Sequence, residues 1–335
     1  MKRPTTCLLI VILVLSVFTL HGASLAAPYY QGKTMKFIVG FSPGGGYDRM
    51  TRMLAKHLPK HIAGKPSIVV ENMEGASSII GTNYLYNIAK PDGLTIGTFT
   101  RGLPFAQVNK LDGVKFDLTK FAWIGSTSVE GTVFALRSDL PYKTVDDLRT
   151  AKEPISFGST GAGTLDYQFS LLAKEYLSLN MKMIIYISSN ECMLAVERKE
   201  ADGRAGSYTS IKPFIERGLV RPIFRGRVAE KGIEHLPVNE DLTTDKMGKT
   251  IMAMFSTADY IGRPYVAPPG TPPEFVNTLR ESFINVLKDP EMRKDAQKNQ
   301  MELEYVPPDD ILKRIQNVFN QPENVLKTFS KFVKF

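Results

Sequence analysis

Cysteine and histidine are scarce in this chain. Only two of the 335 residues are cysteine, and Cys7 lies in the N-terminal apolar segment. Removal of that segment would leave Cys192 alone, so we expect no disulfide within the chain. Two of the four histidines, His57 and His61, are four residues apart as zinc ligands can be, but Pro59 separates them. With no third ligand near them in sequence, we predict no metal site.

Long apolar runs are absent after residue 26. Lys2 and Arg3 precede an uncharged apolar stretch over residues 7–20, and small residues at 24 and 26 suit a cleavage site. The stretch is about 14 residues long, whereas a membrane-spanning helix needs roughly 20. We therefore predict a secretory signal peptide over residues 1–26, with an uncleaved anchor as the alternative, and a mature periplasmic chain starting near Ala27.

Blocks of basic residues are also absent. The formal net charge is +8, or +6 without Lys2 and Arg3. The lysines and arginines are dispersed, with no run of five or six and no interleaved aromatic residues, which argues against a nucleic-acid partner. We interpret the excess as a weak preference for anionic ligands, with most of it solvated surface.

Strand and helix patterns alternate in two series, over residues 35–100 and 132–224. After a rigid connector at 268–273 come two helices, a predicted strand over 301–306 and a last helix. We predict an α/β protein of two lobes, each a mostly parallel sheet flanked by helices. Residues 27–130 and 262–335 would form lobe 1 and residues 131–261 lobe 2. Crossovers near 129–131 and 260–263 would leave a ligand cleft between the lobes.

Two glycine-rich loops follow strands and precede helices, at residues 41–48 and 159–164. Glycines let the backbone approach a ligand, and a helix N-terminus offers free N–H groups and partial positive charge. Neither loop has the Walker pattern or the dinucleotide fingerprint, so we predict no cofactor. Two such loops facing one another across a cleft could hold one anion from both sides.

A serine-hydrolase motif fits the first loop, because residues 40–44 read G-x-S-x-G with Ser42 as the nucleophile. That elbow uses the N–H of the following residue for its oxyanion hole, and Pro43 has none. We therefore expect no catalytic residue. Arg101 follows the third strand at the expected edge of the cleft, where its guanidinium suits a carboxylate; a surface salt bridge is the alternative.

Several segments in order resemble the Bug-type receptors of tripartite tricarboxylate transporters: residues 36–48, 69–76, 91–95, 156–164, 267–272 and 287–290. The resemblance covers essentially the whole mature chain. It implies a two-lobed periplasmic binding protein, type II-like, that closes on a small organic anion, typically a di- or tricarboxylate. It also implies delivery to a permease with a large and a small membrane subunit. A membrane sensor kinase is an alternative partner that the sequence does not separate from transport.

The resemblance implies that backbone and hydroxyl groups of both loops hold the ligand carboxylate. Together with Arg101, which its position after the third strand suggests, and with neighbouring loop residues, the predicted ligand contacts are Phe41, Ser42, Pro43, Gly44, Gly45, Asp48, Ser77, Ser78, Arg101, Ser159, Thr160, Gly161, Ala162, Thr164, Asn190 and Ser207. One departure concerns the segment after Tyr186. Many family members have Tyr-Lys-Gly there, and this chain continues with Ile187 and Ser188.

Overall fold

The computed structural model describes residues 27–161 and 163–332. The predicted signal peptide and Ala162 of the second loop lie outside the described residues. Two five-stranded sheets organise the described chain, in the orders β2-β1-β3-β10-β4 and β7-β6-β8-β5-β9. The strands are β1 Thr34–Val39, β2 Ser67–Asn72, β3 Thr95–Thr98, β4 Ala122–Ser126, β5 Thr132–Arg137, β6 Ile155–Ser159, β7 Met181–Ile185, β8 Gly203–Ser207, β9 Val220–Arg225 and β10 Pro264–Ala267.

Both sheets are mixed, but four of the five strands in each run in one direction, so the prediction of mostly parallel sheets is confirmed. In the first sheet β1 pairs in parallel with β2 and β3, while β10 runs antiparallel to β3 and β4. In the second sheet β6 is parallel to β7 and β8, while β5 is antiparallel to β8 and β9. Strand β5 enters its sheet directly from β4 of the other sheet, whereas β10 follows β9 only after two helices, Lys246–Phe255 and Thr257–Ile261. Each is the antiparallel strand of the sheet that it enters.

Helices cover the sheets and supply their hydrophobic cores. The helix α10, for example, buries Val276, Leu279, Phe283 and Val286, as its amphipathic pattern predicts. The helices are α1 Gly46–His57, α2 Ile79–Asn87, α3 Leu103–Val108, α4 Val145–Arg149, α5 Leu165–Tyr176, α6 Ser189–Glu197, α7 Tyr208–Glu216, α8 Lys246–Phe255, α9 Thr257–Ile261, α10 Pro273–Lys288, α11 Pro290–Lys298, α12 Pro308–Phe319 and α13 Glu323–Phe329. Across the described ranges, no helix combines the length and the apolar character that crossing a bilayer requires.

The predicted strand over residues 301–306 is not formed. This segment makes one isolated bridge, between Val306 and Ser126 at the end of β4. Two prolines, Pro307 and Pro308, follow immediately, and their missing N–H groups prevent the ladder from continuing. The segment is therefore an extended edge next to β4, and the chain enters α12 at once.

The last two helices form a further connection between the two sheets, in addition to the two passages of the chain between them. Helix α12 contacts β4 and α3 on the first sheet's side, whereas α13 contacts α8 on the second sheet's side. Phe105 of α3 stacks on Phe255 of α8 with ring centroids 5.2 Å apart, and Phe329 of α13 meets Phe105 edge-on at 5.1 Å. The lobe boundaries near 130 and 262 stay a prediction. Both fall between strands of different sheets, but α13 packs outside the lobe assigned to it.

Candidate functional site: a cleft between the two sheets

A cavity of about 460 Å³ lies between the sheets. Its walls come from the β1–α1 loop, residues 74–78, the residues after β3, the segment between β4 and β5, the β6–α5 loop and residues 187–190. Because these segments come from both sheets, a molecule in the cavity would touch both halves of the protein. This volume suits a small organic solute.

A buried aspartate shapes the first loop. Asp48 is 2% exposed, and its carboxylate accepts hydrogen bonds from the Gly44 N–H at 2.8 Å and the Asn72 side-chain amide at 2.9 Å. Arg52 pairs with the same carboxylate at 2.9 Å. Burial alone would raise the pKa of Asp48, but Arg52 and these donors hold it below its ordinary value. Asp48 therefore shapes the loop from behind and does not line the cavity.

The N-terminus of helix α1 opens into the cavity. Its N-cap, Gly45, has no side chain to bond the first-turn N–H groups, and Gly45, Gly46 and Tyr47 all line the wall. Such uncapped N–H groups and the helix dipole favour an anion. Gly46 is required for a close approach, because a Cβ there would lie 2.9 Å from Nη2 of Arg263 and 3.3 Å from Oγ of Ser210. The two halves of the cleft therefore already meet at this helix start.

The second loop repeats the arrangement around Asp166. Its carboxylate accepts hydrogen bonds from the Thr160 N–H at 2.9 Å, the Thr160 hydroxyl at 3.0 Å and the Thr164 hydroxyl. Arg204 lies 3.5 Å from the same group. Helix α5 starts at Leu165, and its N-cap Thr164 gives it no side-chain cap. The sequence analysis did not single out Asp166, although its position after the loop parallels that of Asp48.

Residues 75–78 form a left-handed segment in the cavity wall. Gly75 has φ +122°, and the next three residues, Ala76, Ser77 and Ser78, have φ of 44°, 50° and 71°. Side chains cost roughly 1–2 kcal/mol per residue in the left-handed helical conformation. The Ser78 hydroxyl accepts a hydrogen bond from the Thr100 N–H at 3.0 Å, which helps to hold the segment. The wall at Ser77 is therefore strained.

A buried ionic cluster lies at the back of the cleft, where the chain passes between the sheets. Arg101 pairs with Asp259 at 3.0 Å and lies 3.8 Å from Glu130. Arg263 pairs with Glu130 at 3.0 Å. All four side chains are at most 5% exposed. Arg101 thus lines the cavity as predicted, yet its charge is matched by a buried partner and not by a surface salt bridge.

Burial also raises the pKa of one carboxyl group in this cluster and of another beside it. It raises the pKa of Asp259 to about 6, against the opposing effect of Arg101. Glu230 accepts a hydrogen bond from the N–H of Gly131, and its second oxygen, Oε2, is buried with no partner among the described residues. Burial and the nearby Glu130 carboxylate raise the pKa of Glu230 to about 8. The crossover between the sheets therefore carries carboxyl groups that bind protons near neutral pH.

Most of the predicted ligand contacts come together in the wall of this cavity. Those that line it are Phe41, Ser42, Pro43, Gly45, Ser77, Ser78, Arg101, Thr160, Thr164, Asn190 and Ser207. Four others, Gly44, Asp48, Ser159 and Gly161, are not part of the wall, and Ser159 is fully buried. Wall residues that the sequence analysis missed are Gly40, Gly46, Tyr47, Glu74, Gly75, Ala76, Thr100, Glu130, Thr132, Leu165, Asp166, Ile187, Ser188, Ser189, Arg204, Gly206, Ser210 and Arg263.

The two spaced histidines lie away from the cleft. His57 contacts Asp295 at 2.7 Å and His61 contacts Asp289 at 2.9 Å, so they tie the end of α1 to α11. His57, Asp289 and Glu291 are close enough to share an ion. The ammonium of Lys60, however, lies 2.8 Å from Asp289 and 2.7 Å from Glu291 and already balances these carboxylates. The arrangement is explained as an ion-pair cluster between helices.

Comparison with known proteins identifies the family. Residues 50–330 match the family described as the tripartite tricarboxylate transporter family receptor. A "UPF0065 protein in gbd 5'region" from Cupriavidus necator is 26% identical over 292 residues, which cover 85% of this chain and 84% of that protein. The protein BugT from Bordetella pertussis is 23% identical over 290 residues, covering 79% and 80%. The chain belongs to the tripartite tricarboxylate transporter receptor family, and it is a solute-binding receptor and not an enzyme.

Solved structures share the fold. The periplasmic binding protein BugD superposes with a TM-score of 0.72 at 20% identity, covering 90% of this chain and 98% of that chain. A Rhodopseudomonas palustris protein solved with adipate gives 0.71 at 19% identity, covering 89% and 98%. The MatC protein from the same organism, solved with bound malate, gives 0.69 at 17% identity, covering 90% and 99%. The predicted periplasmic-binding-protein architecture is therefore confirmed.

Proposed function

We propose that this protein is the periplasmic receptor of a tripartite transporter that captures a small carboxylate in the cleft between its sheets. The observation that carries the proposal is the pair of matching loops. Each ends at a helix N-terminus that its own N-cap residue leaves uncapped, and each is shaped by a buried aspartate, Asp48 or Asp166. Structures of similar fold with malate and with adipate support a carboxylate ligand. Export through the inner membrane would follow from the signal peptide predicted at residues 1–26.

The carboxylate would be held by backbone N–H groups and by arginine N–H groups whose charge already has a carboxylate partner. First-turn N–H groups of α1 and α5 would face it from the two sides of the cleft. Two further donors, Nε of Arg101 and Nη1 of Arg263, are buried without partners among the described residues. Donors that are already oriented before binding cost little to organise, so one carboxylate is a fitting occupant.

Binding would close a hinge at the two predicted crossovers. The passages touch one another, since the N–H of Glu130 bonds to the Asp259 carbonyl at 2.9 Å and the N–H of Thr127 to the Arg263 carbonyl at 3.2 Å. Gly262 has φ +64°, and a Cβ there would lie 1.5 Å from the Ser128 carbonyl oxygen. A ligand that bridges both halves would favour the closed state by its contacts with the second half.

The closed receptor would deliver its ligand to a permease with a large and a small membrane subunit. Family membership supports this partner, and the comparisons lend no support to a membrane sensor kinase. The transport arm is tested in vesicles containing the permease. Ligand uptake should require the receptor, and equal uptake without it would contradict delivery.

A thermal-shift screen tests capture. The mature protein would be refolded to remove any carried ligand and mixed with mono-, di- and tricarboxylates, aromatic acids and acidic amino acids. A ligand at 100 times its Kd adds about 2.7 kcal/mol to the stability of the folded state. A midpoint shift of several degrees for a carboxylate is expected. The absence of a shift with every anion would refute the proposed function, and equal scattering profiles with and without a tight ligand would refute closure.

A further inference from the structure

We propose that the ligand is an organic acid with one carboxylate and an apolar body, in preference to a citrate-like polyanion. This inference rests on the carboxylate-binding function proposed above. It follows from two properties of the cavity wall. Its arginines are already paired with carboxylates, and it exposes apolar side chains to the cavity.

The first property is the charge balance of the wall. Three arginines reach it, and each has a carboxylate partner: Arg101 has Asp259 at 3.0 Å, Arg263 has Glu130 at 3.0 Å, and Arg204 has Asp166 at 3.5 Å. All six side chains are at least nine-tenths buried. Among the described residues of the wall, no cation remains to balance a second ligand charge.

One acid in the wall is left over. Glu74 is exposed, and its carboxylate accepts a hydrogen bond from the Ser42 hydroxyl of the first loop. No cation of the described chain forms an ion pair with it. Burying a second or third ligand carboxylate near Glu74 would cost desolvation and repulsion without a counter-charge. One carboxylate would take up the oriented N–H donors of the two loops together with Nε of Arg101 and Nη1 of Arg263, and further carboxylates meet no other cation among the described wall residues.

The second property is exposed apolar surface. Ile187 lines the cavity and is 86% exposed, far more than an isoleucine that packs against its own chain. It lies between β7 and α6, three residues before Asn190. The Asn190 amide comes within 3.2 Å of where a Cβ of Gly44 would lie, so this segment already reaches the first loop. A ligand seated there would cover Ile187.

The opposite wall is apolar too. Phe41 stacks on Tyr47 with ring centroids 4.6 Å apart and planes inclined by 19°, and both rings line the cavity. Pro43 and Leu165 add further apolar wall. Covering Ile187 and the Phe41 ring with an alkyl or aromatic body would bury apolar area, which favours binding in proportion to the area removed from water. The body of the ligand is therefore inferred to be hydrocarbon.

Matched ligands test the inference by calorimetry on the refolded mature protein. Hexanoate and adipate have equal chain length and differ by one carboxylate, and phenylpropanoate and citrate extend the comparison. We expect Kd for hexanoate or phenylpropanoate to be at least tenfold lower than for adipate and citrate. Tighter binding of adipate or citrate would overturn the inference and leave the carboxylate receptor standing. Binding of none of these or other anions would instead refute the proposed function itself.

Two variants examine the apolar contact. Ile187→Ser should weaken binding of the preferred monocarboxylate by about tenfold or more, because the covered side chain is lost. Ile187→Lys should shift preference toward adipate by supplying the missing cation. The matched control is Ile88→Lys, which changes another exposed isoleucine outside the cavity wall and should leave every Kd unchanged. Unaltered affinities in both Ile187 variants would overturn the apolar contact.

Discussion

The substitution Glu230→Gln tests whether the crossover between the sheets contains a buried carboxyl group that binds a proton. One oxygen of Glu230 accepts the N–H of Gly131, and the other is buried without a partner among the described residues. Glutamine preserves the shape and can still accept that hydrogen bond. The change therefore removes the titration with little loss of packing.

The expected pH dependence follows from the direction of the shift. Burial, with Glu130 nearby, raises the pKa of Glu230 from 4.5 to about 8. Between these values the folded protein holds a proton that the unfolded chain has lost, so the free energy of unfolding falls as the pH rises. One such proton changes stability by at most about 1.4 kcal/mol per pH unit. Between pH 5 and pH 8 the wild type should therefore lose up to about 4 kcal/mol relative to Glu230→Gln.

Urea unfolding at pH 5, 6, 7 and 8 provides the measurement. The single tryptophan, Trp123, is 2% exposed and its fluorescence reports unfolding. The control is Glu281→Gln, at an exposed position of α10. Stability curves that run parallel for wild type and Glu230→Gln across this range would refute the reasoning, because the buried carboxyl would then be titrating as it does in the unfolded chain.

Three further substitutions have defined outcomes. Ser77→Gly should raise the free energy of unfolding by about 1 kcal/mol, because glycine adopts the observed φ of 50° without a side-chain clash; a lower urea midpoint would contradict this. Arg101→Met should cost about 3–5 kcal/mol by leaving Asp259 buried without its cation. Adding Asp259→Asn should recover part of that loss, and strictly additive effects in the double-mutant cycle would count against coupling. Asp166→Asn should raise the ligand Kd about tenfold by weakening the hydrogen bonds that shape the second loop. Asp117→Asn, outside the cavity wall, serves as its control, and an equal Kd in both variants would argue against loop shaping.

Local features of the fold were predictable from sequence because they depend on neighbouring residues. Thr144 and Asp147 form a capping box that their spacing of three residues indicates, and Pro290 occupies the first position of its helix behind the cap Asp289. Both glycine-rich loops lie between the predicted strand and helix and reach the cavity. These predictions used spacing within a few residues.

Features that depend on distant parts of the chain were not predictable in the same way. Arg263 and Glu130 are 133 residues apart, and nothing local to either indicates that they pair in a buried cluster. The strands β4 and β10 were also missed, and β10 joins the first sheet only after the chain has completed the second. For Arg101, sequence position suggested the cleft, while its pairing with Asp259 required the fold.

The contact of helix α13 with the second sheet limits how the two halves can move. A hinge of two adjacent passages would allow bending and also twisting about its length. The stack of Phe105 on Phe255, closed by Phe329, adds a support away from those passages and so opposes the twisting rotation. The proposed motion would then be limited essentially to bending about one axis. The receptor would then present its closed face to a membrane partner in a single, reproducible orientation.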